Sequence, residues 1–179
     1  MTEKKAGLTL VLGGCRSGKS DHAEKLASGY GSVTYFTTAE AVDEEMAQRI
    51  AGHRAKRPAD WATREVQGLD LPERLEDESA DLVLIDSLTL YVSRAMARLP
   101  EPAEHLLRLV QAVSAHPSDV IVVSDEVGLG VVPASPEGRT FRDLLGWLNQ
   151  LLAAAADDVD MVVAGLPLSL KDGRVPLSR

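Results

Sequence analysis

Short apolar runs recur along the chain without the alternation of polar and apolar residues that marks a half-exposed strand. They are LTLVL at 8–12, VTYF at 33–36, LVLI at 82–85, VIVV at 120–123 and MVVAG at 161–165. Strands of this kind are typical of a parallel sheet whose two faces are both covered by helices. The pattern therefore predicts five buried strands.

Stretches with helical spacing of apolar residues separate these runs, at 19–28, 43–56, 88–98, 103–116 and 139–156. Strands that alternate with helices predict a three-layer α/β domain with a mostly parallel central sheet. The chain has 179 residues, 45% of them hydrophobic, which is enough for one domain with a core. We therefore expect a single domain over residues 1–179, with a disordered tail at 1–6.

Two segments show neither pattern. The polar and acidic residues 62–80 are expected to form an irregular excursion between elements. Residues 127–139 are rich in glycine and proline and are expected to form a long loop before the last helix. Loops of this length are more often functional than decorative.

Composition narrows the class of function. The formal net charge of −8 argues against a general nucleic-acid binder, whose basic surface would dominate the charge balance. A single cysteine, Cys15, permits neither an intramolecular disulfide nor a closed zinc site built on thiolates. The chain shows no signal peptide and no run near the roughly 20 apolar residues of a membrane-spanning helix, so we expect a soluble cytoplasmic protein.

The first apolar run is followed by GGCRSGKS, which fits the phosphate-binding pattern G-x-x-x-x-G-K-[ST] between a strand and a helix. Glycines let backbone N–H groups turn inward around a phosphate, and the helix presents its positive end. Lys19 can reach the β and γ oxygens, and the Ser20 hydroxyl can bind Mg²⁺, whereas Cys15 is interpreted as a small filler residue. The predicted nucleotide contacts here are Gly13, Gly14, Cys15, Arg16, Ser17, Gly18, Lys19 and Ser20.

Acidic residues follow two of the other predicted strands. Asp86 ends LVLID, and Asp125 and Glu126 follow VIVVS. Either position can hold a metal-bound water or accept a proton from an attacking hydroxyl, although carboxylates also commonly cap the next helix. The pattern favours Asp86 for the metal and leaves Asp125 and Glu126 open.

A basic run surrounds one histidine in RIAGHRAKRPADW, residues 49–61. Its helix is expected to begin near Asp43 and to end before Pro58, with His53 on the apolar face. Under one interpretation His53 packs inward and the basic residues complement the helix dipole. Under the other, Arg54, Lys56 and Arg57 bind phosphates and His53 attacks phosphorus. The other histidines, His22, His105 and His116, are interpreted as ordinary, the last two on a surface helix.

Five segments occur together in the order and spacing of one family: GGCRSGKS, TTAEAVDEEMAQRIAGHRAKRPADW, LIDSLTLYVS, VVSDEVGLGVVP and FRDLLGWLNQLLAAAADDVDMVVAGLPL. From Leu8 to Lys171 the chain resembles the bifunctional adenosylcobinamide kinase / adenosylcobinamide-phosphate guanylyltransferases of cobalamin biosynthesis. The resemblance implies a RecA-like P-loop domain, Mg²⁺ as cofactor, and a homotrimer with sites near subunit interfaces.

The resemblance also implies two activities. In the first, ATP or GTP would phosphorylate adenosylcobinamide. In the second, GMP from GTP would be transferred, through a guanylylated His53, to adenosylcobinamide phosphate, giving adenosylcobinamide-GDP and pyrophosphate. The implied catalytic residues are His53, Lys19 and Asp86. Besides residues 13–20, the nucleotide contacts are expected at Thr38, Ala39, Glu40, Arg54, Ala55, Lys56, Arg57, Pro58, Glu65 and Asp86.

The chain departs from the family pattern at three places. SLTLY at 87–91 stands where CLTLW is common, Asp125 where asparagine is usual, and Trp147 where arginine is common. The residues by themselves are also compatible with two other functions. One is a P-loop kinase of another small metabolite in which His53 is structural, and the other is a nucleotide-dependent regulatory switch.

Overall fold

The computed structural model describes residues 6–40, 44, 48, 51, 52, 54 and 57–172. The predicted nucleophile His53 lies outside the described residues, and so do Ala55 and Lys56. The expected tail at 1–6 also falls outside them, apart from Ala6.

Seven strands of the described residues form one sheet in the order β3-β2-β4-β5-β1-β6-β7. All neighbours pair in parallel except β6 and β7, which are antiparallel. The five predicted strands are confirmed as β1, β2, β4, β5 and β6, and β3 and β7 are additional. The bounds are β1 Leu8–Gly13, β2 Val33–Thr37, β3 Ala62–Glu65, β4 Leu82–Asp86, β5 Asp119–Asp125, β6 Asp158–Val163 and β7 Leu166–Lys171.

Helices connect these strands on both sides of the sheet. Within the described residues they are α1 Lys19–Ala27, α2 Leu71–Glu76, α3 Leu88–Arg98, α4 Pro102–Ala115 and α5 Pro136–Ala155. Glu44, Gln48, Ala51, Gly52 and Arg54 are also α-helical, whereas Arg57, just before Pro58, is not. The described part of 43–56 therefore agrees with the predicted helix. No helix in the described ranges has the length and apolarity needed to cross a bilayer.

Two apolar layers explain why the strands do not alternate in polarity. Leu10 and Ile85 pack with α3, α4 and α5 on one face of the sheet, and Val11 and Leu84 pack with α1 on the other. All four side chains are fully buried. Each contributes about 1.5–3 kcal/mol of transfer free energy, so apolar residues on both faces stabilise the three layers.

The expectation that residues 62–80 are irregular is wrong. They contain β3, a polar edge strand whose last two residues are exposed, and α2, which carries Pro72 in its first turn. An edge strand that faces solvent lacks the continuous apolar run by which the other strands are recognised. The last helix also begins earlier than predicted, at Pro136, because the Ser135 hydroxyl caps it by accepting from the Gly138 N–H at 3.0 Å.

His105 is buried, with 6% of its surface exposed, because it lies on the inward face of α4, whose other face is exposed as predicted for a surface helix. Arg108 donates to Nδ1 at 2.9 Å, and the Nε2–H of the neutral ring then donates to the Tyr91 hydroxyl at 2.6 Å. Tyr91 in turn donates to the Leu69 carbonyl at 2.9 Å. Burial, and then the charge of Arg108, hold the pKa of His105 below its usual value.

His116 is buried as well, and it contacts a different element. Its Nε2 lies 3.0 Å from the Leu75 carbonyl oxygen of α2. This contact joins the end of α4 to α2, the helix that the sequence pattern did not predict. Both histidines of this region are therefore buried, His105 on the inward face of α4 and His116 at its C-terminal cap.

Candidate functional site

The GGCRSGKS segment forms a tight loop between β1 and α1, and two of its glycines are required by geometry. A Cβ on Gly13 would lie 2.8 Å from the Val162 carbonyl oxygen of the neighbouring strand. Gly18 has φ 93°, a left-handed conformation that side chains disfavour. The Gly18 carbonyl accepts from the His22 N–H at 2.9 Å, which starts α1 directly behind the loop. The loop therefore sits at the positive end of a helix, as phosphate binding requires.

The strand register brings the predicted acidic residues to the same edge of the sheet as this loop. Gly13 pairs with Asp125 across β1 and β5, and Asp86 pairs with Val123 across β4 and β5. On the other side of β4, Thr37 pairs with Asp86 and with Glu65. Ligands of open α/β sheets bind at the carboxyl ends of the strands, which is where these residues lie.

Lys19 forms an ion pair with Asp125, the departure from the family pattern that lies nearest to the phosphate loop. Lys19 Nζ is 2.5 Å from Asp125 Oδ1 and 3.4 Å from the Gly14 carbonyl oxygen. The Thr89 hydroxyl donates to Asp125 Oδ2 at 2.6 Å. Asp125 therefore contacts the P-loop lysine directly, although the sequence left its role open.

Asp86 is oriented by a tyrosine that sequence analysis did not single out. The Tyr35 hydroxyl donates to Asp86 Oδ2 at 2.7 Å. Burial, and then the negative charge of Asp86, raise the pKa of Tyr35, so its hydroxyl stays protonated and remains a donor. The Asp86 backbone carbonyl accepts from the Thr38 N–H at 3.3 Å, which joins the end of β4 to residues 38–40.

Arg57 is already engaged by two partners within the domain. Its guanidinium carbon lies 3.4 Å from the centroid of the Tyr35 ring, and its Nε lies 3.4 Å from Glu24 Oε1 of α1. Only 8% of its side chain is exposed. In this arrangement Arg57 anchors the end of the basic run, whereas Arg54 is exposed. Phosphate binding by either arginine stays a prediction.

Arg94 of α3 is a further residue of the site that the sequence analysis missed. Its Nη1 donates to the Thr38 carbonyl at 2.9 Å and to Glu40 Oε1 at 2.7 Å. Its Nη2 donates to the Val66 carbonyl at 2.8 Å. One guanidinium thus ties the 38–40 turn to the segment after β3. A helical RxxA stretch gives no local signal for such a long-range contact.

The remaining predicted residues lie around the same edge. The Glu126 N–H donates to the Gly13 carbonyl at 3.0 Å, while its carboxylate accepts from the Gly128 N–H at 2.5 Å. Glu126 therefore caps the turn that follows β5 and not the next helix, which begins at Pro136 and is capped by Ser135. Glu65 ends β3 with an exposed side chain, and the Pro58 carbonyl accepts from the Trp61 N–H at 3.2 Å.

The described residues suit a magnesium ion held together with nucleotide phosphates. No group of three or more His, Cys, Asp or Glu side chains that could hold a metal by itself occurs in the ranges that the structure describes. Ser20 lies in the first turn of α1, and Asp86 uses Oδ2 for Tyr35. A hydroxyl and one carboxylate, completed by phosphate oxygens and water, form the donor set that Mg²⁺ usually takes in such sites.

The fold is that of P-loop NTPases. A solved ATPase from the type III secretion system of pathogenic bacteria superposes with a TM-score of 0.56 at 12% sequence identity, over 92% of this chain and 57% of that one. At that identity the likeness shows the fold alone. The predicted RecA-like α/β domain with a mostly parallel sheet is confirmed.

Sequence comparison identifies the family. The model of the family described as "Cobinamide kinase / cobinamide phosphate guanyltransferase" matches residues 9–170. The bifunctional adenosylcobalamin biosynthesis protein CobP of Pseudomonas aeruginosa is 44% identical over 90% of this chain and 96% of its own. The corresponding CobU of Salmonella typhimurium is 37% identical over 92% of this chain and 99% of its own. The chain belongs to the cobinamide kinase / cobinamide phosphate guanyltransferase family.

Proposed function

We propose that one P-loop site in this chain carries out both reactions of its family on adenosylcobinamide. The observation that carries the proposal is the phosphate loop in register with Asp125 and two strands from Asp86, at one edge of the sheet. Lys19 supplies the positive charge for the triphosphate, and the loop N–H groups surround the phosphates. A regulatory switch would not account for the match of nearly the whole chain to a family of transferases.

In the kinase step, the aminopropanol hydroxyl of adenosylcobinamide attacks the γ-phosphorus of ATP or GTP. A new O–P bond forms, the bond to the β-phosphate oxygen breaks, and the nucleoside diphosphate leaves. The hydroxyl proton passes to a carboxylate at this edge, for which Asp86 is our candidate. Lys19 stabilises the negative charge that develops on the phosphate oxygens.

In the guanylyltransfer step, His53 attacks the α-phosphorus of GTP and pyrophosphate leaves. The phosphate oxygen of adenosylcobinamide phosphate then attacks the same phosphorus, the bond to His53 breaks, and adenosylcobinamide-GDP forms. The role of His53 rests on the resemblance of its surroundings to the family motif. Arg57, four residues along the chain, contacts Tyr35 of β2 and Glu24 of the P-loop helix, which places the described end of the motif beside that helix.

Magnesium bound by Ser20, with Asp86 holding one of its water ligands, would neutralise charge on the transferring and leaving phosphates. Tyr35 orients the Asp86 carboxylate, and Lys19 neutralises the phosphate oxygens from the loop side. Because both reactions consume nucleoside triphosphates, we expect the protein to act in the cytoplasm.

Labelled GTP tests the covalent step. After incubation with α-labelled GTP, the protein should carry label that is labile in acid and stable in alkali, and His53→Ala should abolish it. His22→Gln is the matched control, since it removes a histidine of α1 that pairs with Asp160 at 2.8 Å, and label should persist.

Phosphoryl transfer to adenosylcobinamide in the absence of any α label would reject the covalent step and favour a plain kinase in which His53 is structural. Nucleotide binding without any transfer would reject both activities and favour a switch.

We further propose that the protein is a homotrimer, as its resemblance to the family implies. An apolar patch on β7 supports an assembly: Leu166, Leu168 and Leu170 alternate along the strand and are 72%, 59% and 54% exposed. β7 pairs with β6 on one side only and ends the sheet of the described residues. An apolar edge strand is normally covered by a partner, since exposed edges promote uncontrolled association.

A further inference from the structure

The P-loop lysine of this chain is paired with a carboxylate of the protein itself. Lys19 Nζ lies 2.5 Å from Asp125 Oδ1, and the two side chains are only 13% and 22% exposed. A pair that is largely withdrawn from water is screened less than one on the surface. Lys19 therefore has a strong resident partner at the position from which it must reach phosphate.

Asp125 is held in place on both its side chain and its backbone. The Thr89 hydroxyl of α3 donates to Oδ2 at 2.6 Å, and Asn149 of α5 donates to the Asp125 carbonyl at 3.1 Å. Its backbone is in register with Gly13 at the end of β5. Because the carboxylate is fixed by elements on the far side of the sheet, it keeps its place when Lys19 moves.

Both carboxylate oxygens of Asp125 are engaged, one with Lys19 and the other with Thr89. A role as metal ligand or as proton acceptor would require one of these contacts to break. A triphosphate or pyrophosphate, by contrast, is an anion that competes with the Asp125 carboxylate for the ammonium group of Lys19.

We propose that Asp125 is the counter-ion to which Lys19 returns whenever phosphate leaves the loop. The pair lowers the affinity of the loop for every ligand that carries two or more linked phosphates. It also speeds the release of pyrophosphate, because the leaving anion is replaced at Lys19 by a carboxylate already in position. The effect on release rests on the proposed guanylyltransfer, whereas the effect on binding rests only on the P-loop.

Asp125→Asn tests the proposal because it removes the charge and keeps the shape. An asparagine oxygen can still accept from Lys19 while its amide faces Thr89, so the fold should be retained, and a thermal melt verifies this. Asp143→Asn is the matched control: it also removes one negative charge, from a side chain that is 71% exposed and lies on α5.

The first measurement is the dissociation constant of GTP and of pyrophosphate, with EDTA and with Mg²⁺. We expect Asp125→Asn to bind both anions about tenfold more tightly under both conditions, since a charge-assisted contact no longer opposes them. The dissociation constants of Asp143→Asn for both anions should stay within about twofold of those of the unaltered protein, because an exposed charge contributes little. Equal or weaker binding by Asp125→Asn in EDTA would overturn the proposal, and a loss confined to Mg²⁺ would identify a metal ligand instead.

The second measurement is pyrophosphate inhibition of label incorporation from α-labelled GTP. Asp125→Asn should be inhibited at about tenfold lower pyrophosphate, in step with its tighter binding. Thr89→Val removes the hydroxyl that holds Asp125. It should also lower the dissociation constants and the inhibitory pyrophosphate concentration, but by a smaller factor than Asp125→Asn. If no label forms in any variant, the guanylyltransfer proposal fails, and the binding constants in EDTA still decide the role of Asp125.

Discussion

At the residue scale, the side chain of Tyr35 contacts both the candidate metal-site carboxylate, Asp86, and the end of the basic run, Arg57. Tyr35 donates to Asp86 through its oxygen and supports Arg57 through its ring face. The two contacts can be separated by mutation, since phenylalanine keeps the ring and loses only the donor. Tyr35 touches Asp86 and not the reacting atoms, so it is a positioning residue.

Tyr35→Phe should lower the rates of both transfers about tenfold, because one hydrogen bond to a charged group is lost and Asp86 is no longer held. Nucleotide affinity measured in EDTA should stay unchanged, and the Mg²⁺ concentration that gives half of the maximal binding enhancement should rise. Tyr30→Phe is the matched control, since the Tyr30 hydroxyl also donates to an aspartate, Asp119, at 2.8 Å. Equal effects of the two variants would contradict a positioning role.

The buried His105 predicts a dependence of stability on pH. Its folded-state pKa lies below the unfolded value near 6.5, so the unfolded chain binds more protons in that range. Its contribution to stability is therefore complete above the unfolded pKa and is lost as the pH falls toward the folded value. Between pH 7.5 and about 5.5, the free energy of unfolding measured by denaturant titration should fall more for the unaltered protein than for His105→Gln. Parallel curves for the two proteins would contradict the assignment.

At the scale of elements, the described contacts attach the basic run to α1 through Arg57. The guanidinium lies between the Tyr35 ring and the Glu24 carboxylate, so the end of the segment that carries His53 is fixed to the P-loop helix. Lysine would keep the charge but lose both the planar stack on Tyr35 and the Nε–H that faces Glu24. The attachment therefore predicts a larger effect on histidine chemistry than on nucleotide binding.

Arg57→Lys should reduce formation of the α-labelled protein about tenfold or more, while GTP affinity in EDTA changes less than about threefold. Glu24→Gln, which removes the partner on α1, should produce a smaller loss of the same kind. Arg98→Ala is the control, because Arg98 is a cation of α3 that donates to the Gln67 carbonyl at 3.3 Å. A fall in GTP affinity as large as the fall in labelling would indicate that Arg57 binds phosphate directly.

The elements that the sequence predicted are those whose residues carry a continuous local signal. β1, β4 and β5 are apolar on both faces because each lies between two other strands and two layers of helices. β3 and β7 lie at the two ends of the sheet, where each pairs with one strand only, and neither carries a continuous apolar run. β7 also follows a tight turn at Ala164 and Gly165, both with positive φ, which the apolar run MVVAG concealed.

On the scale of the whole molecule, topology determines which site residues meet. The phosphate loop and Asp86 were predictable because each follows a strand with a recognisable pattern. The contacts of Lys19 with Asp125, of Tyr35 with Asp86 and of Arg94 with Glu40 join residues far apart in the chain. Only the strand order and register bring such pairs together, so local spacing could not predict them.

The exposed leucines of β7 predict how the subunits of the proposed trimer are held together. Leu168→Glu places a charge in the centre of the exposed leucine row on β7 and should shift the protein from trimer to monomer in sedimentation velocity. Leu107→Glu is the matched control, since Leu107 is a leucine of α4 that is 41% exposed and lies away from the sheet edge. If sites form near subunit interfaces, transfer activity should fall with the trimer fraction and recover at high protein concentration. A monomeric unaltered protein, or a trimer that survives Leu168→Glu, would show that this patch does not hold the subunits together.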